Sequence, residues 1–527
     1  MIKSAVPRFE VLRLHLHTHA FFSAFFFTFH HRPNFRIPKS LRQQSRSMPS
    51  KARPTGGIEQ YSYFRDRFNC YRNIVCYAEF SSDITRQHLF LSLRSLISEV
   101  NGLAVNTRNE GSVICPLETI KFGDVAEFRQ IDDHFDVEKT ISQLHDLRFP
   151  VDTDKPLWKV VVYGENRVFF VSDHTICDGR GLAYFMSGLT DHLNLTRGEK
   201  AKQQELKVSE DSAVFELGQI ERFYITDSLE KYVTKKKSAS FIFHTIVENV
   251  GPRWMARIFR TRHLYEFDLS GKPLPIPDNI SPSMHTQVEV VRIGKPALDN
   301  LLQTGKKHGV KLTVLLVYII AKILKKIVIE SDPHRYKATE NYDLEYAIPV
   351  DGRSFVDVKE VQNREPDFVK GFGNFASSVS LKTPSTAISL DPNTIDWPLI
   401  RAMQKKLADM LAKKENLSLL GVLSFVDVKD YIKGLSDQRN KAFEGHYLEV
   451  SNLGYFKFNE KVPEDGFQVK DVIFSQSVCV TGALIDANVI GFENGLRIAL
   501  GWDTNLPFAK SVNGIAETVR TSLENVK

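Results

Sequence analysis

Residues 168–181 read VFFVSDHTICDGRG, and the reading of the whole chain turns on them. Val168, Phe169, Phe170 and Val171 form an unbroken apolar run, the composition of a strand buried on both faces. A second β-rich run covers 157–163, and Gly164, Glu165 and Asn166 between the two signal a hairpin. The apolar run stops at Asp173 and His174. Gly179, Arg180 and Gly181 then open a stretch that carries Leu182, Phe185, Met186 and Leu189 at helical spacing. His174 therefore sits where a central strand gives way to a loop, a common place for catalytic groups.

Working outward, the aromatic-rich run 61–80 reads as a helix or extended lead-in followed by a strand. Residues 87–100 carry Leu89, Leu93, Leu96, Ile97 and Val100 at helical spacing. Short strands follow at 113–114, 120–122 and 128–131, then a helix at 136–147. Pro273, Pro275, Pro277 and Pro282 mark a linker. Beyond it the pattern predicts a strand at 287–293, a helix at 296–309 and a buried helix at 313–329. A strand at 346–350 runs into Asp351, Gly352 and Arg353, and a helix covers 398–414. A further strand, 447–451, ends at Asn452, Leu453 and Gly454. Two late strands, 478–489 and 496–502, flank a turn at 491–495, and 508–527 closes the chain as a helix with one apolar face. The sum is an α/β protein of two lobes with mixed sheets and flanking helices. An extension at 1–50 precedes an N-terminal lobe at 55–265, a Pro-rich crossover at 266–285 and a C-terminal lobe at 286–527.

With 527 residues, 42% of them hydrophobic and 25% charged, the chain can bury a large core. Disorder, collagen and a disulfide scaffold are excluded. The net charge of +6, from 69 basic and 63 acidic residues, is too weak for a nucleic-acid binder but suits an anionic co-substrate or lipid surface. Cys70, Cys76, Cys115, Cys177 and Cys479 show no CxxC pair and no metal-ligand spacing, which points to a reducing, cytoplasmic setting. The apolar run 312–324 is broken by Lys322 and followed by Lys325 and Lys326, and its length falls short of the roughly 20 residues a membrane span needs.

The first fifty residues hold one acid, Glu10, a phenylalanine cluster, and His15, His17 and His19. Three readings stay open for them: a dispensable extension ahead of a true start at Met48, a mitochondrial targeting or membrane-contact segment, or an HxHxH metal site. Residues 240–263 interleave Phe241, Phe243, Trp254 and Phe259 with Arg253, Arg257 and Arg260. Such a stretch can lie on the endoplasmic reticulum or a lipid droplet.

An imidazole at a strand end can take a proton from an alcohol, amine or thiol. Asp178 can stiffen the loop by pairing with a cation, and Gly179 lets the backbone turn away from the base. A satisfied structural histidine is the competing reading. Zinc is not expected, since no third ligand accompanies His174 and Asp178. Cys177 as a nucleophile must be weighed, although on this loop it points more naturally into the core. Lys306, Lys307 and Lys311 gather before a helix N-terminus, either as a phosphate site or as a solvated face.

The segment VFFVSDHTICDGRG resembles the active-site motif HxxxDG of the chloramphenicol-acetyltransferase-like superfamily, and in particular of the fungal alcohol O-acetyltransferases. RPTGGIEQYSYFRDRFNCYRNIVCYAEF, HGVKLTVLLVYIIAKIL, IPVDGRSF, GFGNFAS and VSNLG are similar to further family stretches in the same order, over roughly 53–454. The resemblance implies a two-lobed fold with an active-site channel between the lobes. It implies His174 as general base, Asp178 as a structural, loop-orienting residue beside Gly179, and Arg353 as the salt-bridge partner. Asn374, Ser451 and Asn452 are the oxyanion candidates, and Lys306, Lys307 and Lys311 the co-substrate-binding ones. Acetyl-CoA would be a co-substrate, with no permanently bound cofactor, no metal and no acyl-enzyme. The expected acceptor is a hydrophobic alcohol or sterol and the expected state a monomer. Two alternatives are N-acetylation of a sphingoid-like amine and a non-catalytic lipid- or acyl-CoA-binding role.

Overall fold

The apolar run becomes the middle strand of a five-stranded sheet. In this computed structural model Arg167–Ser172 pairs antiparallel with Trp158–Tyr163, and Gly164 and Glu165 turn the hairpin with left-handed φ of 54° and 71°. The structure describes residues 51–197, 207–233, 284–439, 446–479 and 482–526, apart from 335, 367, 369, 370, 392 and 393. All of them belong to one unit, Pro49–Lys527. The extension 1–50, the stretch 240–263 and most of the Pro-rich crossover lie outside the described residues.

The strand order of this first sheet is Val469–Gln476, Ile74–Phe80, Arg167–Ser172, Trp158–Tyr163 and Ala126–Arg129. Its first member comes from the C-terminal half of the chain and pairs antiparallel with Ile74–Phe80. The second sheet has six strands, in the order Thr286–Gly294, Gly495–Asp503, Ala483–Phe492, His446–Tyr455, Asp343–Asp351 and Ala376–Pro384.

Strand alternation explains how the sheets stack. From the first sheet Phe170 and Cys76 face the helices Arg86–Glu99 and Gly179–Arg197, where Phe170 stacks on Phe185 at 3.5 Å between ring centroids. Val75, Phe169 and Val171 face the opposite way, against Val288, Val290 and Ala499 of the second sheet. That two-sided burial is why the run carries no polar alternation. The outer face of the second sheet is covered by Leu312–Ser331 and Ile515–Glu524. Lys322 and Lys325 are tolerated inside the first of these helices because their ammonium groups donate to Thr394 O at 2.6 Å and to Ser385 O and Ile388 O at 2.8 Å. Among the described residues no helix is long and apolar enough to cross a membrane.

Two expectations need correction. The C-terminal helix is split into Ala509–Val512 and Ile515–Glu524, because Gly514 takes φ +82° between them. The late strand expected from 478 starts at Ala483, and the residues before it form the separate strand Val469–Gln476.

That exchanged strand is fastened by a buried polar knot. The His145 ring bonds Asn73 Oδ1 and Ser475 Oγ, both at 2.8 Å, while Ser477 Oγ accepts the amides of Arg72 and Asn73 at 3.0 and 3.2 Å. Burial, and then the charge of Arg72, pushes the His145 pKa down to about 3 from its ordinary 6.5. The unfolded chain therefore takes up a proton below pH 6.5 that the folded chain refuses, so stability falls as pH drops from about 6.5 toward 3. His145→Ala is expected to cost about 2–4 kcal/mol at pH 7 and to flatten that acid-side loss, read from urea midpoints at pH 7 and pH 5.

Candidate active site

Asp173 begins the turn that presents His174. Its amide donates to Leu157 O at 2.9 Å, and its Oδ1 accepts the Thr175 amide at 2.7 Å. Thr175, Ile176 and Cys177 then fold inward and are buried, leaving His174 partly exposed.

Every oxygen of Asp178 is engaged. Oδ1 accepts the Gly181 amide at 2.8 Å and so caps the helix Gly179–Arg197. Oδ2 accepts the Phe375 amide at 2.8 Å and Arg353 Nη1 at 2.7 Å. The pair is deeply buried, with side chains 8% and 2% exposed. Arg353 also bonds Asp351 Oδ1 through Nη1 at 3.1 Å, Gly371 O through Nε and Nη2, and Gly373 O through Nη2 at 3.1 Å. Burial opposes its charge, but Asp178 and Asp351 outweigh burial and its pKa is raised. Arg180 continues the brace, reaching Asp351 Oδ2 at 3.2 Å and Leu453 O at 2.9 Å.

Gly179 is needed for a different reason from the one its place in the motif suggests. Its backbone φ is not left-handed; a Cβ there would lie 2.7 Å from Leu453 Cδ2 and 2.8 Å from Phe474 Cζ. The loop lies too close to two strands of the C-terminal half for any side chain.

The His174 carbonyl accepts Asn374 Nδ2 at 2.7 Å, and its ring lies edge-on to Tyr71 with centroids 5.6 Å apart. Nδ1 is buried without a hydrogen-bond partner. Burial first, and the positive charge of Arg65 second, push its pKa down to about 4, so the ring is neutral at pH 7. Cys177 is fully buried, donates its thiol to Asp178 O at 3.3 Å, and is held protonated by burial.

The three oxyanion candidates separate. Asn374 spends both amide hydrogens, one on the His174 carbonyl and one on Ser62 Oγ at 3.1 Å. Asn452 Nδ2 donates to Thr313 Oγ1 at 3.0 Å, and its Oδ1 accepts the Gly454 amide at 2.9 Å. Both are tied into the scaffold. Ser451 lies on the sheet face of Glu449, opposite the core-facing Leu448 and Val450, and among the described residues its hydroxyl has no hydrogen-bond partner.

Lys306 and Lys307 end the helix Lys295–Lys307, where cations suit the carbonyl end, and Lys311 caps the next helix. Lys306 and Lys311 rim a cavity of about 540 Å³ floored by Leu301, Leu312 and Leu315. Lys307 does not line it. Among the described residues none of the three lysines makes an ion pair.

Two residues that no motif marks also bear on His174: Arg65 through its charge and Tyr71 through its ring contact. Both fall in the run 61–80, whose aromatic density was the one available signal.

Solved structures with this arrangement of sheets include the trichothecene 15-O-acetyltransferase TRI3 of Fusarium sporotrichioides, with a TM-score of 0.61 at 11% identity, covering 92% of this chain and 98% of that one. The epimerization domain from the third module of tyrocidine synthetase B aligns with a TM-score of 0.54 at 15% identity, over 90% and 96% of the two chains. The fold is the chloramphenicol-acetyltransferase-like one. Residues 54–506 match the alcohol acetyltransferase family, and the chain belongs to it. Over 483 residues it is 21% identical to the N-acetyltransferase SLI1 of Saccharomyces cerevisiae, covering 85% of this chain and 95% of that protein. Membership makes the chain an acyltransferase and implies an acyl-CoA co-substrate.

Removing either partner of the buried pair leaves an uncompensated charge. Asp178→Ala and Arg353→Met are each expected to cost about 3–5 kcal/mol, and the double variant less than the sum. Urea unfolding of the four proteins measures this; additive losses would contradict the coupling.

Proposed function

We propose that the chain transfers acetyl from acetyl-CoA to the hydroxyl of a hydrophobic alcohol or sterol, with His174 as general base and no acyl-enzyme. The observation that carries this reading is a neutral, partly exposed imidazole on a loop fixed by the Asp178–Arg353 pair. With Nδ1 buried, Nε2 takes the proton as the acceptor oxygen attacks the thioester carbonyl. The new C–O bond forms, the C–S bond breaks, and the proton passes from the imidazolium to the CoA sulfur. A base with a pKa of about 4 cannot hold a free alkoxide's proton, so proton removal and attack are concerted.

In this reading Asp178 orients the loop and the Ser451 hydroxyl donates to the developing oxyanion. The lysine-rimmed cavity would take the phosphates of CoA, with Lys306 and Lys311 as the charges. Protonated Cys177 does not compete as a nucleophile. The protein acts as a monomer, and the basic aromatic composition of 240–263 supports peripheral contact with the membrane or lipid droplet that holds such acceptors.

A second reading, transfer to a long-chain amine, is favoured by the name of the yeast relative. It asks the site to take up the small fraction of the amine that is unprotonated at neutral pH, after which His174 removes the proton as the nitrogen attacks, just as it would for an alcohol.

Acceptor-dependent thiol release from acetyl-CoA tests the proposal across matched alcohols, sterols and amines. His174→Ala is expected to lower turnover by about 10²–10⁴, whereas Cys177→Ala should leave it within about twofold. Turnover indifferent to His174 would refute the mechanism, and amines outrunning matched alcohols would favour the second reading.

A further inference from the structure

A charge beside the base is left uncompensated. Arg65 lies near the end of the helix Gly57–Arg67, and its guanidinium is sandwiched between Tyr61, 5.1 Å from the ring centroid, and Tyr71, at 4.3 Å. Among the described residues it makes no ion pair, its Nε is buried without a hydrogen-bond partner, and its polar neighbour is the Cys479 thiol. A cation held this way costs folding free energy, since burial without a carboxylate is the unfavourable half of a salt bridge. The same Tyr71 ring also meets the His174 ring, with centroids 5.6 Å apart and the planes inclined at 60°.

We propose that Arg65 is a positioning residue for the transfer: stacked on Tyr71, which in turn meets His174 edge-on, its unpaired guanidinium adds to the larger effect of burial a positive potential that helps keep the imidazole unprotonated between turnovers. The proposal rests on His174 being the general base. Other groups around the ring do not supply this potential. Asp178, on the same loop, acts in the opposite sense and is already paired with Arg353. Asp173 and Asp66 are buried carboxyls, the first pushed up to about 6 by burial and the second raised by burial and then by Asp173, so in the acid range where His174 takes up its proton Asp173 is neutral. From the second sheet Glu449 and Asp486 act on Tyr71, and Glu449 accepts Gln476 Nε2 at 2.6 Å. Cys177 is held protonated below the loop. Arg65 is thus the cation whose field opposes protonation of His174.

The test is an NMR titration of the His174 ring in the full chain, alongside the pH profile of kcat/KM. In the wild type the ring is expected to titrate near pH 4, with the acid limb of the rate at the same place. Arg65→Gln and Arg65→Met should move both upward by at least about half a unit, toward the ordinary histidine range. Arg65→Lys, which keeps the charge, should leave both in place. A wild-type titration at or above pH 6.5, or neutral variants that lose rate with the His174 titration unmoved, would overturn the proposal. The wild-type titration needs no variant to fold. It also needs no turnover, so the failure of this proposal stays distinct from failure of the acetyl-transfer reading.

Discussion

The ion pair between Asp178 and Arg353 is the contact on which the rest of the site depends. One carboxylate caps a helix, accepts a loop amide and neutralises a guanidinium, and that guanidinium closes the carbonyls of Gly371 and Gly373. Two stretches far apart in sequence are thereby fixed against each other. Neither partner can leave without exposing a buried charge. The loop between strand and helix is tied at both ends, which restricts how the base at its head is presented. Asn374 adds a second tie by holding the His174 carbonyl from the same segment that meets Asp178.

The strand Val469–Gln476 completes this construction from the other direction. It joins the first sheet although it belongs to the C-terminal half, and the His145 knot locks it. Leu453 and Phe474 press on Gly179, so the start of the motif helix is shaped by residues that follow it by more than half the length of the chain. Polar groups are then left unsatisfied around the base: His174 Nδ1, the Tyr71 hydroxyl and Arg65 Nε. Stability is given up there for a site with a neutral imidazole and a strong local field.

How much of this was legible in the sequence depended on whether the signal was local. The central strand, its hairpin and the helix after Gly179 followed from unbroken hydrophobicity, turn residues and 3.6-residue spacing. Arg353 was legible as the partner of Asp178 only through resemblance to a family, because no spacing rule links positions so far apart. The exchanged strand escaped because VKDVIFSQ mixes charge with apolar residues, as an edge strand does, and its pairing partner lies in the other half of the chain. Asn374 and Asn452 were legible as site amides only through the family-like stretches that hold them, and not as scaffold bonds, since what an amide donates to is decided in three dimensions. Arg65 carried no signal of its own beyond lying in the aromatic-rich run 61–80, where it is one arginine among several.

The central claim is direct transfer, with both substrates present together at a base that never carries the acyl group. Initial rates with acetyl-CoA and the acceptor varied against each other, paired with the intact mass of enzyme incubated with acetyl-CoA alone, test it most directly. Intersecting double-reciprocal lines and an unmodified mass are predicted. Parallel lines with an acetylated protein would contradict the account and return a covalent nucleophile to the loop.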